Sequence, residues 1–314
     1  MTREGILTPK RASCLFLLCV LVLDLSIKVS AQHTRVAAII ERINGTVILK
    51  QNGKQVTLNS KTDIARKLLA GDSVHCEKGA TLTLRLASRV TELDENSGWF
   101  VIPQASTAQT DTRQKALDAY GRPGGRSRGP LFNPRVYSPA EDGFAAADLF
   151  ALRWTPLKSG CSISFTIEDA SHKELWRQAN VDGAAEKLDP PDARAALKQF
   201  QDKSEVRKLI LNISSTCEEA DSTTFYLLSA GSEQRLKDEL AVWDLESDQL
   251  FAHLGRASVF FDAKMFAQVA GEYEAALALA PNSVALISNT AGAERQAGNI
   301  RRAKEVESRL VGNQ

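Results

Sequence analysis

The sequence predicts a multidomain α+β chain: a small all-β roll, then a β-sandwich, then α-helical hairpins. Three observations carry that expectation. Short β-branched and leucine-rich runs separated by glycine turns fill Ile43 to Ile102. A second set of strand-like runs lies between Leu152 and Leu228. A pattern with a 34-residue period closes the chain, from Ala257 to Glu307.

In the first module, Thr46-Val47-Ile48-Leu49 reads as a strand and Gln51-Asn52-Gly53-Lys54 as a hairpin turn. Asn-Gly tolerates the positive φ that both central residues of a tight turn need. Gln55-Val56-Thr57-Leu58 alternates polar and apolar, the period of a half-buried strand. Leu69-Ala70-Gly71-Asp72 turns the chain into Val74-His75-Cys76. After Gly79, Leu82, Leu84 and Leu86 share one face, and Thr81, Thr83 and Arg85 the other. Val90 to Leu93 and Trp99 to Ile102 supply the last two strands. Seven or so short strands at this spacing indicate a small roll or sandwich.

Gly45-x-Val47, Gly53, Leu58, Leu69-x-Gly71-Asp72-x-Val74 and Leu82-x-Leu84-x-Leu86 together resemble the FecR-like domain of bacterial envelope proteins, over residues 36–102. Ala87-Ser88 stand where that family usually turns with Asp-Gly. The resemblance implies an extracytoplasmic β domain used for signalling or for binding envelope components, not a catalyst.

The N-terminus reads as a targeting segment, residues 1–31. Arg3, Lys10 and Arg11 precede the apolar run Cys14 to Leu23, and Val29-Ser30-Ala31 ends in a small-x-small pattern, so the mature chain starts near Gln32. The apolar run gives about 15 Å of helix, against the roughly 20 residues a bilayer core needs. A periplasmic or secreted location follows. The alternative is an uncleaved N-terminal segment that keeps the chain on a membrane. Export permits disulfides, and Cys161 and Cys217, beside two strand-like runs of one module, are the expected pair. Cys76 is left as a buried thiol on a strand.

Residues 103–139 read as a flexible basic linker, rich in Gly and Pro, with Arg122, Arg126, Arg128 and Arg135. A net charge of +1 over 314 residues leaves no footprint for nucleic acid. Tyr120, Phe132 and Tyr137 are too few for a stacking platform. Residues 145–231 form the second β module, with strands at 162–167, 174–178, 209–214 and 225–228 and at most a short helix from Ala193 to Phe200. Leu152-x-Trp154-x-Pro156, Ser162 to Asp169 and Leu175-Trp176 resemble an immunoglobulin-type sandwich of bacterial surface proteins, with Trp154 and Trp176 as core aromatics.

Residues 232–314 are expected to be helical. Ser232 is placed as a cap, and Leu236, Leu240, Trp243, Leu250 and Leu254 recur at helical offsets along one helix. Ala257, Lys264, Phe266, Val269 and Tyr273 then recur after 34 residues as Ala291, Gly298, Ile300, Ala303 and Glu307. With Phe260, Ala276-Leu277 and Pro281, this is similar to the tetratricopeptide (TPR) pattern. The resemblance implies a concave groove for a protein partner in the envelope, built on Phe260, Phe266 and Tyr273. The second copy has Glu294 and Glu307 where the first has Phe260 and Tyr273, which predicts the polar outer face of a terminal cap. Two copies are fewer than the three or so that stand alone, so these helices should pack on the 232–254 helix or on a partner.

The sequence contains no G-x-S-x-G, H-E-x-x-H, P-loop or C-x-x-C. His33, His75, His172 and His253 are scattered over separate modules. Glu168-Asp169 and Asp94-Glu95 fall at strand ends, where turn chemistry accounts for them. The expectation is therefore no catalytic, metal or cofactor-binding residue and no cofactor. The chain reads as a non-enzymatic exported envelope protein, a binding or scaffold module. A FecR-type signal-transduction component at the membrane is the alternative.

Overall fold

The computed structural model of the chain describes residues 36–86, 89–103, 135–203 and 207–311. The expected targeting segment, the Ala87-Ser88 turn and most of the expected linker, with Arg122, Arg126 and Arg128, lie outside the described residues. Those described form a mixed α+β structure of strands followed largely by helices.

The first module is a pair of four-stranded antiparallel sheets. One contains β1 (Val36–Asn44), β4 (Lys67–Leu69), β6 (Thr81–Leu86) and β7 (Val90–Asp94), in the order β4-β1-β6-β7. The other contains β2 (Val47–Gln51), β3 (Lys54–Leu58), β5 (Ser73–Cys76) and β8 (Phe100–Val101), in the order β3-β2-β5-β8. Alternation sets the packing: Val47, Leu49, Val74, Leu82 and Leu84 are all fully buried between the sheets. Asn52 and Gly53 both take positive φ, 51° and 76°, in the β2–β3 turn. Gly45 is required at the β1–β2 corner. Its φ is 76°, and a Cβ there would lie 2.9 Å from Ala80.

One strand face differs from expectation. Arg85, assigned with Thr81 and Thr83 to the outer face, is only 8% exposed. It pairs with Glu41, and its guanidinium lies 4.5 Å from the Phe251 ring centroid. The cause is tertiary, since helices from the C-terminal half cover that face of the sheet.

The second module contains β9 (Val136–Ser138), β10 (Phe144–Ala145), β11 (Leu152–Trp154), β12 (Ser162–Asp169), β13 (Glu174–Asp182), β14 (Lys187–Leu188), β15 (Lys208–Ser215) and β16 (Asp221–Leu227). They form sheets ordered β10-β16-β15-β12-β13 and β14-β11-β9. Ile163, Phe165 and Ile167 point inward from β12, and Trp154 packs on Phe165 at 5.1 Å between ring centroids. Cys161 and Cys217 form a disulfide with a Cα–Cα distance of 5.7 Å. Two boundaries are corrected. The expected linker ends early, because Val136–Ser138 pairs with β11 as strand β9. The short helix expected at Ala193 to Phe200 is the 13-residue α1 (Pro191–Lys203). Pro191 suits its first position, where no amide donor is needed, and Ala193 and Leu197 bury one face in the module's core.

The helical part holds α2 (Ala230–Asp244), α3 (Gln249–Asp262), α4 (Phe266–Leu279), α5 (Val284–Ala297) and α6 (Ile300–Val311). The N-cap of α2 is Ser229 rather than Ser232; the Ser229 hydroxyl accepts from the Ser232 amide at 3.0 Å. The single 232–254 helix is in fact two. Asp248 caps a new helix by accepting from the Phe251 amide at 3.0 Å. The two then close tightly, because a Cβ on Gly255 would overlap the indole of Trp243.

These helices do not stand on α2 alone. Their core takes in Val36, Ile39 and Ala65 from the first module and Ala146 from the second. The Ser283 hydroxyl donates to the Ile64 carbonyl, and the Val284 amide donates to the Thr62 carbonyl at 3.0 Å. Buried Glu233 of α2 accepts from the amides of Ala147 and Asp148, each at 3.0 Å. Among the described residues no helix is long and apolar enough to cross a membrane.

Candidate functional site: a charged cleft beside Glu294

A cleft of about 400 Å³ lies between the second β module and the helical hairpins. One wall is built from Tyr137 on β9, Arg153 on β11, and Glu186 and Lys187 at β14. The other is built from Glu274 on α4, Glu294 on α5, Asn299, and Arg301, Arg302 and Glu305 on α6. Its placement follows from local structure. Gly298 takes φ 94° and ends α5, and the Asn299 amide returns to the Glu294 carbonyl at 2.8 Å. Helix α6 therefore starts at once and lays its first turn along the cleft.

Glu294 is the group that sets this site apart. It is 4% exposed, and its Oε2 has no hydrogen-bond partner. Burial, helped by the negative charge of Glu274, pushes its carboxyl up to about 7. A hydrogen bond with Asn299 and the charges of Arg302 and Arg153 act in the opposite direction. This carboxyl therefore holds a proton far closer to neutral pH than an ordinary glutamate does.

The basic groups of the cleft are of two kinds. Arg302 is already neutralised: its Nε donates to Glu274 at 2.7 Å and its Nη1 to Glu305 at 3.2 Å. Arg301 lies 3.3 Å from the same Glu305. Across the cleft, Arg153 and Lys187 make no ion pair among the described residues. Tyr137, beside Arg153, has its phenol raised by burial, so it stays protonated and able to donate. The cleft thus offers a buried acid on one wall and an uncommitted guanidinium on the other.

The residues singled out from sequence lie elsewhere. Phe260 and Tyr273 are 7% and 6% exposed, inside the interhelical core. Phe266 is half-buried, edge-on to Phe261 at 6.1 Å. Phe260 and Tyr273 are therefore closed to a partner, while Phe266 keeps part of its surface. With only two hairpins to enclose a core, the aromatics are used for packing. Cys76 is buried, and burial raises its thiol. His75 stacks on Trp99, His172 meets Glu168 at 3.2 Å and His253 meets Glu272 at 2.7 Å, each on a different element. His33 lies outside the described residues. Among the described residues no three His, Cys, Asp or Glu side chains are grouped to hold a metal. Asp94 caps a short 3-10 turn, and Asp169 accepts from the Ser171 and Lys173 amides, which is turn chemistry.

One expectation about the second repeat needs correcting. Glu307 does face outward, paired with Arg295. Glu294 does not; it lines the cleft, whose other wall carries Tyr137 and Arg153. The 34-residue alignment marked Glu294 as a polar residue in an aromatic position. It carried no sign of the wall opposite.

No family model and no curated protein matches the chain. Among solved structures, the chain is similar to one described as the chicken CNTN1 FN1-FN3 domains, with 9% sequence identity and a TM-score of 0.21. The match covers 64% of this chain and spans 59% of that structure's length. A likeness so distant carries neither a fold nor a function across.

Proposed function

We propose that the chain is a non-enzymatic, exported binding protein of the bacterial envelope, with a FecR-like first module and TPR-like hairpins that scaffold a ligand cleft. The paired antiparallel sheets of 36–101 and the two helical hairpins of matching period support the module reading. Glu294 is the observation that carries the binding reading. A buried carboxylate oxygen without a partner destabilises the folded chain, and such groups persist where a ligand completes them. The binding surface is thus the cleft, and the helices serve as one of its walls.

The test uses the whole chain and the small-molecule fraction of an envelope extract. Molecules retained after filtration are identified by mass spectrometry. The wild type should retain at least one compound, and Glu294→Gln should retain several-fold less of it. Equal retention by both, or none by the wild type, would remove the cleft from the reading. N-terminal sequencing of the exported chain should find Gln32 first.

A further inference from the structure

We propose that the cleft takes a small zwitterion, a free amino acid or a short peptide, with its ammonium group against Glu294 and its carboxylate against Arg153. This rests on the reading of the chain as a binding protein and names the ligand class of that site.

Size is the first constraint. At about 400 Å³ the cleft falls in the range of small-molecule sites and accepts anything from one amino acid to a tripeptide. Charge is the second. Arg302 is held by Glu274 and Glu305, and Arg301 by Glu305, so these four groups leave little net charge to attract a simple ion. What remains is one unfilled acceptor, Glu294, on one wall and the unpaired, half-buried Arg153 on the other, with the opposite charges of exposed Glu186 and Lys187 at the rim beside it. A purely anionic ligand would satisfy Arg153 and leave Glu294 bare. A purely cationic ligand would satisfy Glu294 and leave Arg153 desolvated without a partner. A molecule carrying both charges completes both walls at once. Tyr137 supplies a further donor beside Arg153. No bond is made or broken, and the ligand leaves as it came.

The pH dependence follows from the groups that face Glu294. Tyr137 and Arg153 come from the β wall with Glu186 and Lys187. Glu274 comes from α4, and Arg301, Arg302 and Glu305 come from α6. No histidine lines the cleft, so Glu294, with its carboxyl near 7, is the group that titrates between pH 5.5 and 7. An ammonium favours the ionised carboxylate, so binding expels the proton from Glu294. Affinity should rise about tenfold over that interval.

The experiment is titration calorimetry on the full chain, with each of the twenty amino acids and trialanine as separate probes. N-acetyl and amide derivatives of the tightest binder follow. At least one zwitterion should bind one-to-one, and the amino acid and peptide arms separate the two sources. N-acetylation removes the cation and amidation removes the anion; each should lower affinity tenfold or more. Glu294→Gln and Arg153→Gln should do the same, with thermal unfolding confirming that both variants fold. The derivative series on the wild type decides the point even if a variant does not fold. If no zwitterion binds at millimolar concentration while the extract compound is still retained, the ligand class is wrong and the binding-protein reading stands. An amide that binds as tightly as its parent would overturn the role given to Arg153. An N-acetyl derivative that does so would overturn the role given to Glu294.

Discussion

The two copies of the helical repeat use the same positions in opposite ways. Ala257 and Ala291 are both fully buried where the paired helices approach, and Val269 and Ala303 match them on the second helix of each copy. The copies part at the next layer. Phe260 packs into the hairpin core, whereas Glu294, at the equivalent place, is just as buried but faces a polar cleft. Tyr273 is likewise interior, whereas Glu307 pairs with Arg295 at the surface. A repeat frame thus fixes where a side chain points and leaves open what it meets. The first copy meets other helices, and the second meets a β module on one side and solvent on the other.

The largest effect should come from emptying the packed position. Phe260→Ala should lower stability by about 3–5 kcal/mol in denaturant unfolding, the range for a large core aromatic. A loss below about 1 kcal/mol would mean that the first copy does not depend on this residue for packing, and the contrast would fail.

Next is the charged position. The Glu294 carboxyl, near 7 when folded against an ordinary 4.5, holds its proton more tightly in the folded chain. Its favourable contribution is fully present below pH 4.5 and is lost as pH rises through 7. At pH 8 the ionised group destabilises the fold by about 2–3 kcal/mol. Glu294→Gln should therefore be more stable than the wild type at pH 8, by about 2 kcal/mol, with no such gain at pH 5. A gain that is the same at both pH values would mean that ionisation of Glu294 is not what strains the second copy.

The smallest effect lies at the hairpin turns. Lys264 and Gly298 occupy the same repeat position, and both take left-handed backbone, φ 55° and 94°. Lys264→Gly should gain up to about 1 kcal/mol, since a lysine is strained there and a glycine is not. Gly298→Ala should lose about 1 kcal/mol or more, because the new Cβ would also lie 3.1 Å from Nε of Arg135. Thermal unfolding of the two variants side by side would show whether the asymmetry is in the turn or in its surroundings.

Much of the first module was legible because its signals are local. Asn52-Gly53 sets a turn, and alternation in Leu82, Leu84 and Leu86 sets a buried face. The same reasoning placed Arg85 outside and failed, since Phe251, Glu246 and Asp248, which cover it, come from the far end of the sequence. Ser229 and Ser232 are equally good caps by residue type, and backbone geometry decides between them. The repeat pattern was legible through its spacing, but the use of Phe260 and Tyr273 was not. Whether an aromatic fills a groove or lines it depends on how many repeats share the core. The cleft could not be read at all in advance, because Arg153 and Glu294 are brought together only by the docking of two modules.

The bond from Ser283 to the Ile64 carbonyl joins groups 219 positions apart. Strand β1 lends Val36 and Ile39 to a core made mostly of helices that follow it far along the sequence. The first module therefore does not complete its packing by itself. The first strands must wait, partly uncovered, until the final two hairpins exist, and contacts of such long range slow the search for the native state.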